Sequence, residues 1–414
     1  MINELRSSPL LPIFLIVAVD ILGYTIILPL LPFYAERLGA SPSTVGMLVA
    51  VYAVCQLVAG PLLGRLSDQF GRKPLLIVSQ IGTLIGFIVL AFAGALWVVF
   101  LSRIIDGATA GNLSLAQAYI SDVTAPEKRA KSFGVIGIAF GMGFLIGPAV
   151  SGFLSTFGYS YPIFAAAVLS FTSIMATTLL LPANPPRPAG VPAGDSGPHD
   201  RRFSVLEWNR YAEYFQRPSL APLLLKFFSY VFSFAVFVGG FALFAERRYT
   251  WADHPFGPKE VGYVFAYSGL IGGVLQGGAL GRLVRRFGER PLLAASLVAC
   301  AAGYAILGYA YTIPLLLVSA AVSAFGGIAR PVVTSLITQV AGRREQGTVL
   351  GLTQSLTSVA QITGPLIAGF LIQHRLLTAW ALVAAGIAAF GWVVRTPPAP
   401  APERLRDQRG SEIR

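Results

Sequence analysis

The sequence predicts an all-α membrane protein of twelve transmembrane helices, arranged as two repeated six-helix halves. Three observations carry this expectation. The 414-residue chain is 55% hydrophobic and only 12% charged, against roughly 25% charged in soluble domains. With a mean hydropathy of +0.68 it lacks the polar surface to coat a globule, so a bilayer is its solvent. Twelve apolar runs approach the ~20 residues a helix needs to cross hydrocarbon. Finally, glycine and proline landmarks recur at one fixed offset along the chain.

The spans are placed at 9–34, 43–63, 75–95, 97–119, 132–154, 161–182, 219–245, 259–281, 291–311, 313–338, 346–373 and 376–396. The first run is too long for a secretory leader and has no small-residue cleavage site, so it reads as a retained helix. An even number of spans puts both termini on one side. The connections on that side, with the termini, hold 23 of the 31 Lys and Arg residues, and the opposite connections hold 5. By the positive-inside rule both ends are cytoplasmic. The net charge of +12 therefore reports membrane orientation, and nucleic acid is not an expected partner.

The segment from Leu181 to Pro218, with the linker proper at 183–218, divides the chain. It opens with "LPANPPRPAGVPAGDSGP" (from Leu181), a composition that cannot pack as a core and reads as linker. It continues to Val205, Trp208, Tyr211, Ala212 and Phe215, which fall near one helical face and suit an interfacial helix. The expected domains are thus 1–182, the linker 183–218, 219–396, and a cytoplasmic tail 397–414. Gly64 and Gly281, Gly134 and Gly351, and Gly147-Pro148 and Gly364-Pro365 are all 217 residues apart. Such landmarks argue for a duplicated unit, and repeated bundles with a midplane site between them are typical of secondary transporters.

Four motifs carry a family resemblance. "GRLSDQFGRKP" (Gly64–Pro74) joins spans 2 and 3 and echoes as "GRLVRRFGERP" (Gly281–Pro291). "LSRIIDGATAGN" (Leu101–Asn112) lies in span 4, "GIAFGMGFLIGPAVSG" (Gly137–Gly152) in span 5, and "VDILGYTIILPLLPFYA" (Val19–Ala35) in span 1. Together they resemble the major facilitator superfamily, and within it the twelve-helix drug:proton antiporters, most of all the tetracycline-efflux-like branch. The resemblance implies the major facilitator fold, alternating access, and export of amphipathic drugs across the inner membrane in exchange for protons, a multidrug or antibiotic-resistance activity. It implies too that Asp68, with Gly71 and Arg72, latches the halves together and is released on inward opening. No cofactor or metal is implied, and a monomer is expected. The alternative within transport is a symporter or uniporter of a small metabolite.

The residues have their own reading beside that resemblance. Gly64 and Gly71 permit a tight turn, and Pro74 suits the first turn of span 3. Asp20 lies about ten residues into span 1; a carboxylate near the midplane costs a few kcal/mol unless paired or protonated and is a functional candidate by default. Tyr24 shares its face. Arg103 and Asp106 are neighbours one turn apart in span 4. They are either a self-neutralising pair or a cation that reaches Asp20 or Asp106 according to protonation. These three are the proton-coupling candidates. Asn112 and Gln117 follow in the same span, either lining a cavity or bonding between helices. In span 5, Gly147 and Pro148 mark a helix able to bend, with span 8 (Gly269, Gly272, Gly273, Gly277, Gly278) as a close neighbour, and are gating candidates with the loop residues. Span 7 sets Tyr230, Phe234, Phe237 and Phe241 at helical spacing, which are candidates for an apolar substrate.

Two features depart from the tetracycline branch. Spans 3 and 9 carry no acid, which argues against tetracycline as the substrate. Span 10 carries Arg330, for which three readings stand open: it binds an anionic substrate, pairs with an acid, or snorkels to the interface. A membrane enzyme would need a cluster of catalytic groups, but His199, His254 and His374 are in loops and far apart in sequence, and no nucleophile–base set is visible. Cys55 and Cys300 lie in apolar spans and suggest neither a disulfide nor a metal site.

Overall fold

A computed structural model describes residues 10–123, 129–182, 213–341 and 345–395. The helices are α1 Leu10–Arg37, α2 Pro42–Phe70, α3 Arg72–Ala91, α4 Leu96–Ala108, α5 Asn112–Val123, α6 Arg129–Ser155 and α7 Ser160–Leu180 in the first half. The second half has α8 Ala221–Arg248, α9 Pro258–Val274, α10 Leu280–Phe287, α11 Glu289–Tyr309, α12 Ile313–Gly326, α13 Ala329–Ala341, α14 Gln346–Gln373 and α15 Leu377–Val393. Among the described residues nine helices are long and apolar enough to cross a membrane. The remaining three predicted spans are the broken α4–α5, α6, and the 17-residue α15. The interfacial helix expected around Trp208 lies outside the described residues except for one helical turn at 213–216.

The duplication is visible in the packing. α1 packs on α6 and α7, α3 on α7 and α4, and α2 on α4. In the second half α8 packs on α14 and α15, α11 on α15 and α12, and α9 on α12. The turn glycines repeat as well: Gly71 (φ 93°) precedes α3 and Gly288 (φ 79°) precedes α11. Both take a backbone conformation that a side chain resists. Spans 4 and 10 break at matching places, after Ala108 and after Gly326. In the first half buried Ser79 fills the break, donating to the Thr109 carbonyl and accepting from the Gly111 N–H at 2.9 Å. Among the described residues the one addition to an all-α fold is a two-stranded hairpin, β1 Thr250–Trp251 and β2 His254–Pro255, turning through Ala252 and Asp253 at positive φ.

Two seams join the halves, α2 with α14 and α6 with α9. Both are closest at the rim that carries the hairpin, here called the far rim; the rim with Gly64–Pro74 and Gly281–Pro291 is the basic rim. Gly46 lies against the Pro365 carbonyl, Gly369 against the Pro42 carbonyl, Gly262 against Pro148 and Gly152, and Gly269 against Phe144 and Leu145. Backbones approach this closely only where no side chain intervenes. The Ser43 N–H also donates to Gln373 Oε1 across the first seam, at 3.3 Å. Toward the basic rim Gly60, Gly272, Gly273, Gly277, Gly278 and Gly351 meet nothing within 4 Å. This corrects the expectation for span 8. Gly262 and Gly269 make the contact with span 5, whereas Gly272–Gly278 face open space, and α9 there passes into a π-helical turn at Leu275–Ala279. The reason is geometric: helices that diverge from one rim can be in contact along only one half of their length.

Candidate functional site

Asp20 sits ten residues into α1, about 15 Å along its axis. Gln80 of α3, Asn112 of α5 and Ser173 of α7 present their polar side chains to its carboxylate. Gln80 and Ser173 are buried, and Gln80 Nε2 donates to Ser173 Oγ at 2.7 Å. Two acceptors in this cage have no partner: Gln80 Oε1 and Asn112 Oδ1 are both buried and unbonded. A carboxylate cannot satisfy them, because it only accepts; a protonated acid can, because its O–H donates.

Beside this cage lies the Arg103–Asp106 pair. Arg103 Nη1 reaches Asp106 Oδ2 at 3.2 Å, and both side chains are about 5% exposed. Thr83 stands within hydrogen-bonding reach of Asp106, and Gly86 leaves room for its Cβ. Arg103 is therefore partnered with Asp106 rather than with Asp20, and its Nη2 is buried without an acceptor. Tyr24 shares the Asp20 face as expected and stacks on Tyr52 with centroids 6.3 Å apart. Asp20, Asp106, Arg103 and both tyrosines thus form one electrostatic neighbourhood. Removing one partner of a buried pair costs ~3–5 kcal/mol because the other charge is stranded. Arg103→Ala should accordingly lower the unfolding temperature in detergent, and Asp106→Asn added to it should restore most of the loss. A double variant no more stable than the single one would refute the pairing.

The second half contributes aromatics and one arginine. Tyr230 and Phe234 of α8 stack at 6.3 Å, and Phe234 meets Phe144 of α6 edge-on across the gap between halves. Phe237 and Phe241 are a correction. Phe237 stacks on Tyr304 at 4.9 Å and lies by Trp380, while Phe241 is 1% exposed against Phe265. These two belong to the interior of the second bundle, because a 28-residue helix carries its aromatic stripe from the gap into the core. Arg330 is exposed, and among the described residues it has no ion pair; its ionisable neighbour is Tyr230. The acid-pairing reading of Arg330 therefore falls. Gln117 is exposed on α5.

At the basic rim Gly64, Asp68 and Arg72 belong to one bonded network, and Gly71 is the turn residue just before Arg72. Arg72 Nη1 meets Asp68 Oδ1 and Ser67 Oγ, each at 2.5 Å, and its Nε meets Asp122 Oδ2 at 2.8 Å. Ser67 in turn donates to the Gly64 carbonyl at 2.6 Å. Lys73 donates to the Thr178 and Leu181 carbonyls at the end of α7. These bonds lie within the first half. Gly147 packs on Thr25 of α1, and Pro148 on Gly262 of α9, so this pair joins the first bundle to the second. At the far rim Arg247 reaches Glu36 across the halves at 2.5 Å, and Glu246 at 3.0 Å.

The sequence reading missed Gln80, Ser173, Thr83, Tyr52, Asp122 and the Glu36–Arg247 clasp. The available signal for Gln80 was that it is the lone amide of span 3. The others are residue types common in membrane helices, and only their convergence distinguishes them.

Two helical bundles, joined at one rim and enclosing a buried polar centre, define a multi-pass membrane protein with the architecture of secondary transporters. A family model described as Major Facilitator Superfamily matches residues 13–280 and 252–413, and the chain belongs to that superfamily. Among curated relatives, tetracycline resistance protein class C of Escherichia coli is 30% identical over 359 residues, covering 85% of this chain and 86% of its own. Multidrug resistance protein 2 of Bacillus subtilis (strain 168) is 27% identical over 365 residues, covering 86% of each. Among solved structures, the human organic anion transporter MFSD10 (TETRAN) superposes with a TM-score of 0.69 at 23% identity, covering 93% of this chain and 98% of its own. A peptide transporter POT in complex with sulfate gives 0.72 at 16% identity, covering 93% of each. At these identities the structural likeness concerns the fold alone.

Proposed function

We propose that the protein exports amphipathic drugs or toxic compounds across the inner membrane in exchange for protons, by alternating access between residues 1–182 and 219–396. The observation that carries this reading is Asp20, set deep in an apolar bundle with two unbonded amide oxygens in its cage. That cage accommodates the acid with a proton and, through its amide and hydroxyl donors, without one. Asp20 is the proton carrier in this reading. Arg103 and Asp106 set the local field, and a substrate cation or proton competes for it.

With the termini cytoplasmic, the far rim is external and the described conformation is inward-open. The seams at Gly46–Pro365 and Gly262–Pro148 hold the external side shut, while the glycines toward the cytoplasmic ends meet no neighbour. Asp68 is bonded to Arg72 in its own half, and in this reading it is the latch residue of the inward side. Tyr230, Phe234, Tyr24 and Arg330 face the substrate. The relatives named for drug and tetracycline resistance support the substrate class; the acid-free spans 3 and 9 argue for a substrate other than tetracycline.

Reconstituted vesicles with an acid interior test this reading against a panel of amphipathic dyes and drugs. Proton exit should drive uptake of at least one compound several-fold above vesicles whose gradient has been collapsed. Flux in the same direction as the protons would make the protein a symporter, and absence of gradient-dependent flux for every compound would overturn the proposal.

A further inference from the structure

The far rim of the second half carries an open cleft of about 420 Å³ that the transport reading does not use. It is lined by Arg248 at the end of α8, Tyr311 in the α11–α12 connection, Arg375 in the α14–α15 connection, and the first turn of α15; among the described residues no acid lines it.

Three electropositive features converge there. Arg248 is held in place by the Tyr311 ring at 4.2 Å, the Phe244 ring at 5.2 Å and a bond from Nη2 to Thr378 Oγ1 at 3.1 Å. Its Nη1 is nevertheless buried with no hydrogen-bond partner, a condition that carries a desolvation penalty until an acceptor arrives. The second feature is the start of α15, which has no side-chain cap. The first backbone bond closing its opening turn runs from the Trp380 N–H to the Leu376 carbonyl. The amides of Leu377, Thr378 and Ala379 therefore lie where helices receive anions.

The third feature is Arg375, whose φ of 59° lies in the left-handed region that favours glycine. The internal repeat supplies its comparison. The position 217 residues earlier, in the α6–α7 connection, is Gly158 at φ 141°. One corner of the fold thus holds glycine in one half and a strained arginine in the other, beside a guanidinium with an idle donor.

We propose that this cleft binds a phosphate-type anion, gripped by Arg248, Arg375 and the first turn of α15. A lipid headgroup and a free phosphate share that chemistry. The exposed Tyr311 and Leu376 form an apolar lip suited to the acyl chains of the former.

The test uses the purified full-length protein. Its thermal unfolding is followed with inorganic phosphate against chloride of equal ionic strength, in neutral detergent. The second arm compares nanodiscs of phosphatidylglycerol with nanodiscs of phosphatidylcholine. Arg375→Gly fits the left-handed corner better, so without ligand it should unfold at the same or a higher temperature. It should nonetheless bind the anion about tenfold more weakly, as loss of one charge-assisted contact implies. Arg248→Gln should weaken binding likewise. Stabilisation by inorganic phosphate identifies a free-anion site, and stabilisation by phosphatidylglycerol alone identifies a headgroup site; both uphold the proposal. No stabilisation in either arm, or full affinity in Arg375→Gly, overturns it.

Discussion

Asp20→Asn leaves the protein folded and abolishes proton-driven transport. The amide has nearly the shape of the carboxyl group and can bond to Gln80, Asn112 and Ser173, the polar side chains around Asp20. It also removes the penalty of a few kcal/mol that an ionised acid incurs near the bilayer midplane, so the unfolding temperature should hold or rise. What the variant lacks is a group that gains and loses a proton. Gradient-driven uptake should fall to the background of protein-free vesicles, while exchange of substrate across vesicles with no gradient continues. The split between the two assays carries the conclusion. Coupling that survives the substitution removes Asp20 from the mechanism, and loss of both activities assigns it to substrate binding or assembly instead.

Gly46→Ala and Gly262→Ala should each drive the molecule away from the described conformation. A methyl group on Gly46 collides with the Pro365 carbonyl, and one on Gly262 collides with the Pro148 carbonyl and comes within 3.0 Å of the Gly152 Cα. The obstacles are backbone atoms, which cannot turn aside as a flexible side chain does. Overpacking of this kind costs ~1–3 kcal/mol, and because the clash exists only while the far rim is shut, it acts as a differential term between two states. A shift of about five- to 150-fold in their ratio follows. Spin labels at Arg65 and Arg282, exposed on the basic rim of the two halves, report it in a background lacking Cys55 and Cys300. The long-distance population should give way to a shorter one as the basic rim closes, with transport slowed in parallel. An unchanged distance distribution would mean that the seams are not what holds the far rim.

Much of this architecture was legible in the chain. Apolar run length predicts the spans because each helix must satisfy its backbone inside hydrocarbon, and the 217-residue offset revealed a duplication that the packing repeats down to Gly71 and Gly288. Asp20 and the Arg103–Asp106 pair stood out because ionised groups are rare where water is excluded. The cage around Asp20 did not stand out. Gln80, Asn112 and Ser173 come from three helices spread over 94 positions, and each alone looks like an ordinary interhelical bond. Phe237 and Phe241 misled for the complementary reason. Helical spacing shows that residues share a face, but not what that face meets along a 28-residue helix.

The sequence by itself determined the solvent, the number of spans, the repeat and the presence of a lone acid in span 1, since all of these follow from local composition and from transfer energies that act residue by residue. Only the tertiary structure decided which rim is shut, which glycines form the seams, and that Arg248 and Arg375 meet over an uncapped helix. Those outcomes depend on the relative placement of two bundles and on residues more than a hundred positions apart, and no local periodicity encodes them.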